Sequence, residues 1–156
     1  MPLGLLDVFK RRPPATAAPG TWTVFEGKHG GRPLLARFNT GVEQHVGSAA
    51  YPIQIGVAIP FLAPNEAGMP TAEEAKQLSA FEDALVARAG QSALLVGAIT
   101  TGGMREFVLY TGASEWLPAF HKDLKAAMPT HSVQMMAKTD PSWSVYRQFV
   151  RKPELH

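Results

Sequence analysis

The stretch YPIQIGVAIPF (residues 51–61) is followed, after LAPNEAGMP, by TAEEAKQLSAFEDALVARAG (residues 71–90). The first run sets Ile53, Ile55, Val57, Ile59 and Phe61 at period two, the spacing of one face of a β-strand. Gln54, Gly56 and Ala58 take the opposite face, where small residues let a helix lie close or leave that side to solvent. The second run reads as a helix. Leu78, Phe81, Leu85 and Ala89 follow one stripe, Thr71 and Glu74 have capping-box spacing, and Gly90 stops it. Glu73, Glu74, Glu82 and Asp83 read as a solvated acidic face. Glu82 and Asp83 point about 100° apart and so form no paired-carboxylate site, though one of them can meet an arginine on the sheet.

Outward from this pair, SALLVGAIT (residues 92–100) is a buried strand, TGG a turn and MREFVLYT (residues 104–111) a second strand. Ser114 is placed to cap a helix over EWLPAFHKDLKAAM, with Trp116, Phe120 and Leu124 on one stripe and Pro118 in its first turn. HSVQMMAKT (residues 131–139) is the last strand, and Asp140 with Pro141 opens a short helix over DPSWSVYRQFV. From residue 51 to 138 the order is strand, helix, strand, strand, helix, strand, the split βαβ pattern of ferredoxin-like folds. Right-handed crossovers put both helices on one face of an antiparallel sheet. Upstream, TWTVFEG and PLLARFNT flank a Gly30-Gly31 turn and read as a hairpin that extends the sheet or covers its edge. Residues 40–50 read as a loop or a single helical turn. The expected fold is therefore α+β: a ferredoxin-like βαββαβ sandwich with an added N-terminal β-hairpin and a short C-terminal helix.

Residues 21–156 read as one domain, preceded by an arm over residues 1–20. In the arm, GLLDVFKRR suits a short amphipathic helix with Leu5, Leu6 and Phe9 on one face, or a frayed tail, and PPATAAPG ends regular structure. With 156 residues, none of them cysteine, the chain can bury a core without staples and has no disulfide, thiolate nucleophile or cysteine-bound zinc. No apolar run approaches the roughly 20 residues that span a bilayer. The N-terminal charges follow the apolar patch, the wrong order for a secretory signal, so the expected location is cytoplasmic. Lys10, Arg11, Arg12, Arg147, Arg151 and Lys152 hold the basicity at the ends, while residues 21–146 carry nine basic and eleven acidic side chains. That slightly acidic body argues against nucleic acid, which favours a basic stripe.

The runs LARFNT, YPIQIGVAIP and GMPTAEEAKQLSAFEDAL, the TGGMREFVLYT hairpin and the closing DPSW..Y together resemble the bacterial domain of unknown function 695 family, from about Trp22 to about Tyr146. The resemblance implies a bacterial protein and no assigned activity. Some members carry the domain beside one resembling the regulator of ribonuclease activity B, a small protein that acts by binding an enzyme and is also ferredoxin-like. By analogy this implies a binding role. The second domain is not in the present sequence.

Candidate site residues are few. Arg37 and Asn39 lie two apart on one strand and share a face. If Arg105, at the start of another strand, converges with Arg37, the two guanidinium forks make an anion-binding patch. The structural alternative pairs Arg37 with Glu82, Asp83 or Glu106. Trp143 and Tyr146, three apart on the last helix, either pack it down or offer a semi-exposed aromatic anchor. The five histidines, His29, His45, His121, His131 and His156, have no ligand spacing and read as scattered surface residues. Gly30-Gly31 and Gly102-Gly103 are turns, not phosphate loops. The sequence calls for no cofactor and no metal, and favours a non-catalytic protein-binding or regulatory module, with a homodimer through a sheet edge as one form of it. The alternative is a small-molecule-binding or hydrolytic enzyme using Arg37, Arg105 and a nearby carboxylate.

Overall fold

A computed structural model describes the backbone of residues 8–12 and residues 21–150 in full. The strand expected from residues 51–61 is β4 (Ile53–Pro60), and the helix after it is α1 (Ala72–Ala89). Ile55, Val57 and Ile59 are fully buried on the side of α1, as period two requires. Gln54 and Ala58 on the opposite face are buried as well. That face is not left to solvent: the Glu106 carboxylate and the Met136 stem lie against Gly56, where a Cβ would come within 2.6 Å of Glu106 Oε2. At the start of α1 the Thr71 hydroxyl accepts from the Glu74 amide at 3.1 Å. The reciprocal half of the expected capping box does not form, because the Glu74 side chain turns inward.

The remaining strands are β1 (Val8–Arg12), β2 (Trp22–His29), β3 (Arg32–Asn39), β5 (Ala93–Thr101), β6 (Met104–Thr111) and β7 (Gln134–Thr139). They form one sheet in the order β1-β2-β3-β5-β6-β4-β7, with every neighbouring pair antiparallel. Six of the strands lie within residues 21–150. Helix α1 connects β4 to β5, and α2 (Leu117–Ala127) connects β6 to β7. Leu78, Phe81 and Leu85 of α1 and Phe120 and Leu124 of α2 share one core with the inward residues of β4 and β6, so both helices lie on the same face. The Gly-Gly hairpin extends the sheet instead of covering its edge, with β3 pairing β5 from Leu34↔Thr101 to Phe38↔Gly97. All four glycines of the two hairpin turns have positive φ, the left-handed region that favours glycine.

Two further expectations are corrected. Residues 8–12 pair with β2 as a strand, from Val8↔Lys28 to Arg12↔Val24, and are not helical. The outer edge of β2 offers unpaired amides and carbonyls that a neighbouring segment can satisfy. The placing of Leu5 and Leu6, the PPATAAPG breaker, Arg151, Lys152 and His156 falls outside the described residues. Ser114 does not cap α2 with its side chain. Its carbonyl accepts from the Leu117 amide in a turn, and the helix begins at Leu117 with Pro118 in its first turn.

The opposite face of the sheet has its own core. Residues 40–50 contain a 3-10 helix (Thr40–His45), and the last helix, α3 (Ser144–Phe149), lays Tyr146 and Phe149 on Phe25, Phe38 and Tyr110. Helix α3 starts three residues later than the Pro141 pattern suggests. Trp143 sits in the left-handed region at φ 58°, and the Asp140 carboxylate accepts from the Ser144 amide and hydroxyl and from the Val145 amide. The Phe38 ring stacks on Phe149 with 4.6 Å between centroids and fills the space where a side chain at Gly97 would project. Gly97→Ala is therefore expected to lower unfolding free energy by about 1–3 kcal/mol, read as a drop in urea midpoint. Adding Phe38→Leu should return part of the loss, because it removes the overlap.

Candidate functional site

On β3, Leu34, Ala36 and Phe38 face the α3 side, so Leu35, Arg37 and Asn39 face the side of α1 and α2. On β2 the positions paired with Leu35 and Arg37 are Glu26 and Val24. The hairpin lies outside the strands whose inward residues the two helices bury, and this face of it stays accessible: Leu35 is 38% exposed. Two hollows meet at Leu35. The larger, about 500 Å³, is an open groove lined by Glu26, Lys28, Pro33, Leu35 and Met69 among others. The smaller, about 80 Å³, is lined by Val24, Leu35, Ala36, Arg37, Ala98, Thr100 and Arg105.

Arg37 and Arg105 thus converge on one hollow. Arg37 pairs with Glu82, which projects from the margin of α1, and its guanidinium lies 5.2 Å from the centre of the Trp22 ring. Arg105 donates from Nε to the hydroxyl of Thr100, its cross-strand neighbour, at 2.8 Å. Burial lowers the Arg105 pKa, and the charge of Arg37 lowers it further while Glu82 opposes them. The cluster holds two cations and one carboxylate.

The other expected site residues lie elsewhere. Asn39 accepts from the Gly41 amide and caps the 3-10 helix, while its carbonyl accepts from the Tyr146 hydroxyl at 2.8 Å. Glu106, adjacent to Arg105 in sequence, is on the opposite face, buried over Gly56. Burial raises its carboxyl pKa, with the charge of Lys138 opposing. Trp143 and Tyr146 are buried, so they pack the last helix down and present no exposed anchor. The Trp143 indole stacks on Tyr110 at 4.0 Å and donates to the Tyr51 carbonyl. Tyr110 donates to Asp140 at 2.6 Å, and burial together with that carboxylate raises the phenol pKa.

One buried polar pair escaped the sequence reading. His131 is not a surface residue. Its Nε2 donates to Glu74 Oε2 at 2.6 Å, and its Nδ1 is hydrogen-bonded to the Thr130 hydroxyl. The same Glu74 oxygen accepts from the Leu62 amide. Glu74 therefore leaves the acidic face and ties the loop after β4 to the segment before β7. The signal was present, since Glu74 precedes Leu78 by four residues and so lies on the buried stripe. Among the described residues no three His, Cys, Asp or Glu side chains cluster as metal ligands, and no helix is long and apolar enough to cross a membrane.

The geometry defines an α+β antiparallel-sheet protein whose helix-free flank carries an arginine cluster. The family of unknown function (DUF695) matches residues 20–150, and the chain belongs to that family. No curated protein matches the sequence.

The buried pair gives a pH prediction. Burial raises the Glu74 carboxyl pKa, but the Leu62 amide, the His131 hydrogen bond and charge, and the Ala63 amide outweigh it and hold the group below its ordinary value. A depressed folded-state pKa contributes stability above the unfolded value, and that contribution is lost as pH falls through the folded one. Glu74→Gln is expected to cost about 1–3 kcal/mol near pH 7 and to lose less than wild type on going to about pH 4. Urea midpoints at the two pH values check both.

Proposed function

We propose that this chain is a non-catalytic protein-binding or regulatory module that takes its partner in the groove formed by β2 and β3 and bordered by Met69 of the loop before α1. One observation carries the reading: the α1-side face of the hairpin presents exposed Leu35 between an open groove and a two-arginine hollow. An apolar floor with a cationic end suits an extended segment bearing an acidic residue, since complementary charge steers and orients such partners. The ferredoxin-like assignment belongs to this proposal. It is supported by the strand order β5-β6-β4-β7 with both connecting helices on one face. So do a bacterial, cytoplasmic setting, a single domain over residues 21–156, and any part played by the residue 1–20 arm.

A second reading, an anion-binding or hydrolytic enzyme using Arg37, Arg105 and a carboxylate, is favoured by Glu82 filling the carboxylate's place. It ranks below because the hollow that holds the arginines is only about 80 Å³ and the 500 Å³ groove beside it is open and mainly apolar, whereas small-molecule sites enclose most of their ligand.

The test uses the full chain as bait in lysate of its source cells, comparing wild type with Leu35→Asp on the groove and Thr139→Asp on the far edge strand. Circular dichroism confirms folding of each. A protein retained by wild type and Thr139→Asp but lost from Leu35→Asp supports the groove. Loss only from Thr139→Asp moves recognition to the sheet edge and overturns it. Self-association by light scattering that Leu35→Asp abolishes replaces the partner with a second copy of this chain and overturns it too.

A further inference from the structure

We infer that Arg37 and Arg105 form a subsite for a side-chain carboxylate, half of which Glu82 fills in the free protein, and that it receives a Glu or Asp of the partner segment. The inference rests on the groove reading above and names what that groove selects.

A guanidinium offers five N–H donors in a planar fork that matches a carboxylate. Arg37 already spends part of its fork on Glu82 and lies against the Trp22 ring. Arg105 spends Nε on Thr100, and no carboxylate pairs with it among the described residues. Among the described residues two cations facing one carboxylate leave the hollow with a net positive charge, partly screened from water by Val24, Leu35 and Ala98. A second carboxylate entering there balances that charge and answers the outer fork of Arg105.

Size and lining choose the ligand. The hollow's volume of about 80 Å³ compares with the roughly 10–15 Å³ that one water needs on the same measure. It has room for one small polar head and little else. The aliphatic walls suit the methylene stem of an acidic side chain. Glu82 of α1, which already pairs with Arg37, is the same group on one of the same donors. It acts as a built-in competitor: an arriving carboxylate takes Arg105 and shares or displaces Glu82 on Arg37.

The test follows the Nε–H resonances of Arg37 and Arg105 in the full-length protein by two-dimensional NMR. The probes are N-acetylglutamic acid α-amide, with only a side-chain carboxylate, N-acetylglutamine, with only a chain-terminal one, and inorganic phosphate. Sodium chloride at matched ionic strength is the control. The side-chain probe is expected to shift Arg105 saturably and at lower concentration than the other two. Glu82→Gln, which removes the competitor, should tighten it by about two- to fivefold. Arg105→Gln should abolish it.

Equal shifts with chloride, tighter binding of N-acetylglutamine or phosphate, or weaker binding in Glu82→Gln would each overturn the inference. The two readings fail separately. No probe binding while Leu35→Asp still loses the partner removes the subsite and leaves the groove. Saturable probe binding while Leu35→Asp keeps the partner removes the groove and leaves the subsite.

Discussion

Two helices packed side by side, with axes about 8–10 Å apart, shield a strip on the order of 20 Å wide. Strands about 4.8 Å apart fill that strip four at a time. This sheet has seven strands and, on that face, two helices. The mismatch in width leaves the hairpin β2-β3 outside the covered strip, where a groove opens between it and Met69 of the loop before α1. Leu35 is exposed because of this geometry and not because a core position failed. Glu82 meets Arg37 there because it flanks the buried stripe of α1, one residue beyond Phe81.

An extension covered on one side must be held from the other. The α3 face does this with aromatic rings: Phe25 and Phe38 from the hairpin, Tyr110 from the central sheet and Trp143, Tyr146 and Phe149 from the C-terminal segment. Gly97 supplies the room for Phe38, and Asp140 supplies the turn that delivers Trp143 and Tyr146. Burial raises the Asp140 carboxyl pKa, but the Tyr110 hydroxyl and the Ser144 and Val145 donors outweigh it and hold the group charged. The hairpin is anchored by the chain's last described helix, which joins distant parts of the sequence in one core and leaves the groove side clear.

Period two in residues 53–61, the stripe in residues 78–89 and the paired glycines were enough to order the elements from β2 to α3. What could not be read were positions decided by distant partners. VFKRR has no pattern that forces a strand, and only the open edge of β2 makes it one. Glu74 looked like half of a capping box because the box is a local motif, whereas His131 and the Leu62 amide reach it from elsewhere in the fold. DPSW reads as a helix start because Pro141 suits a first turn, but Trp143 takes a left-handed conformation to stack on Tyr110. In the site, the convergence of Arg37 and Arg105 was legible as a condition, since face parity along each strand is fixed by sequence. Whether β3 and β6 sit close enough was not legible. The sheet order, with only β5 between them, decides it.

The polar groups of the fold divide by how completely their partners answer them. Tyr110 and Asp140 form a pair whose hydrogen bonds close between fixed elements, and Glu74 is tied through Oε2 to His131 and the Leu62 amide while its buried Oε1 has no hydrogen-bond partner among the described residues. Replacing any of these side chains disturbs the framework. Arg105 differs in kind. It is partly buried, which costs a cation its hydration, its nearest charged neighbours include a second cation, and its paired strand offers a hydroxyl where a carboxylate would answer it better. A guanidinium serving the framework alone would be expected beside a dedicated carboxylate. Among the described residues the carboxylate that acts on Arg105 already belongs to Arg37, and Arg105 lines a hollow that opens beside the groove. That imbalance is the observation on which the proposed recognition role of the pair rests.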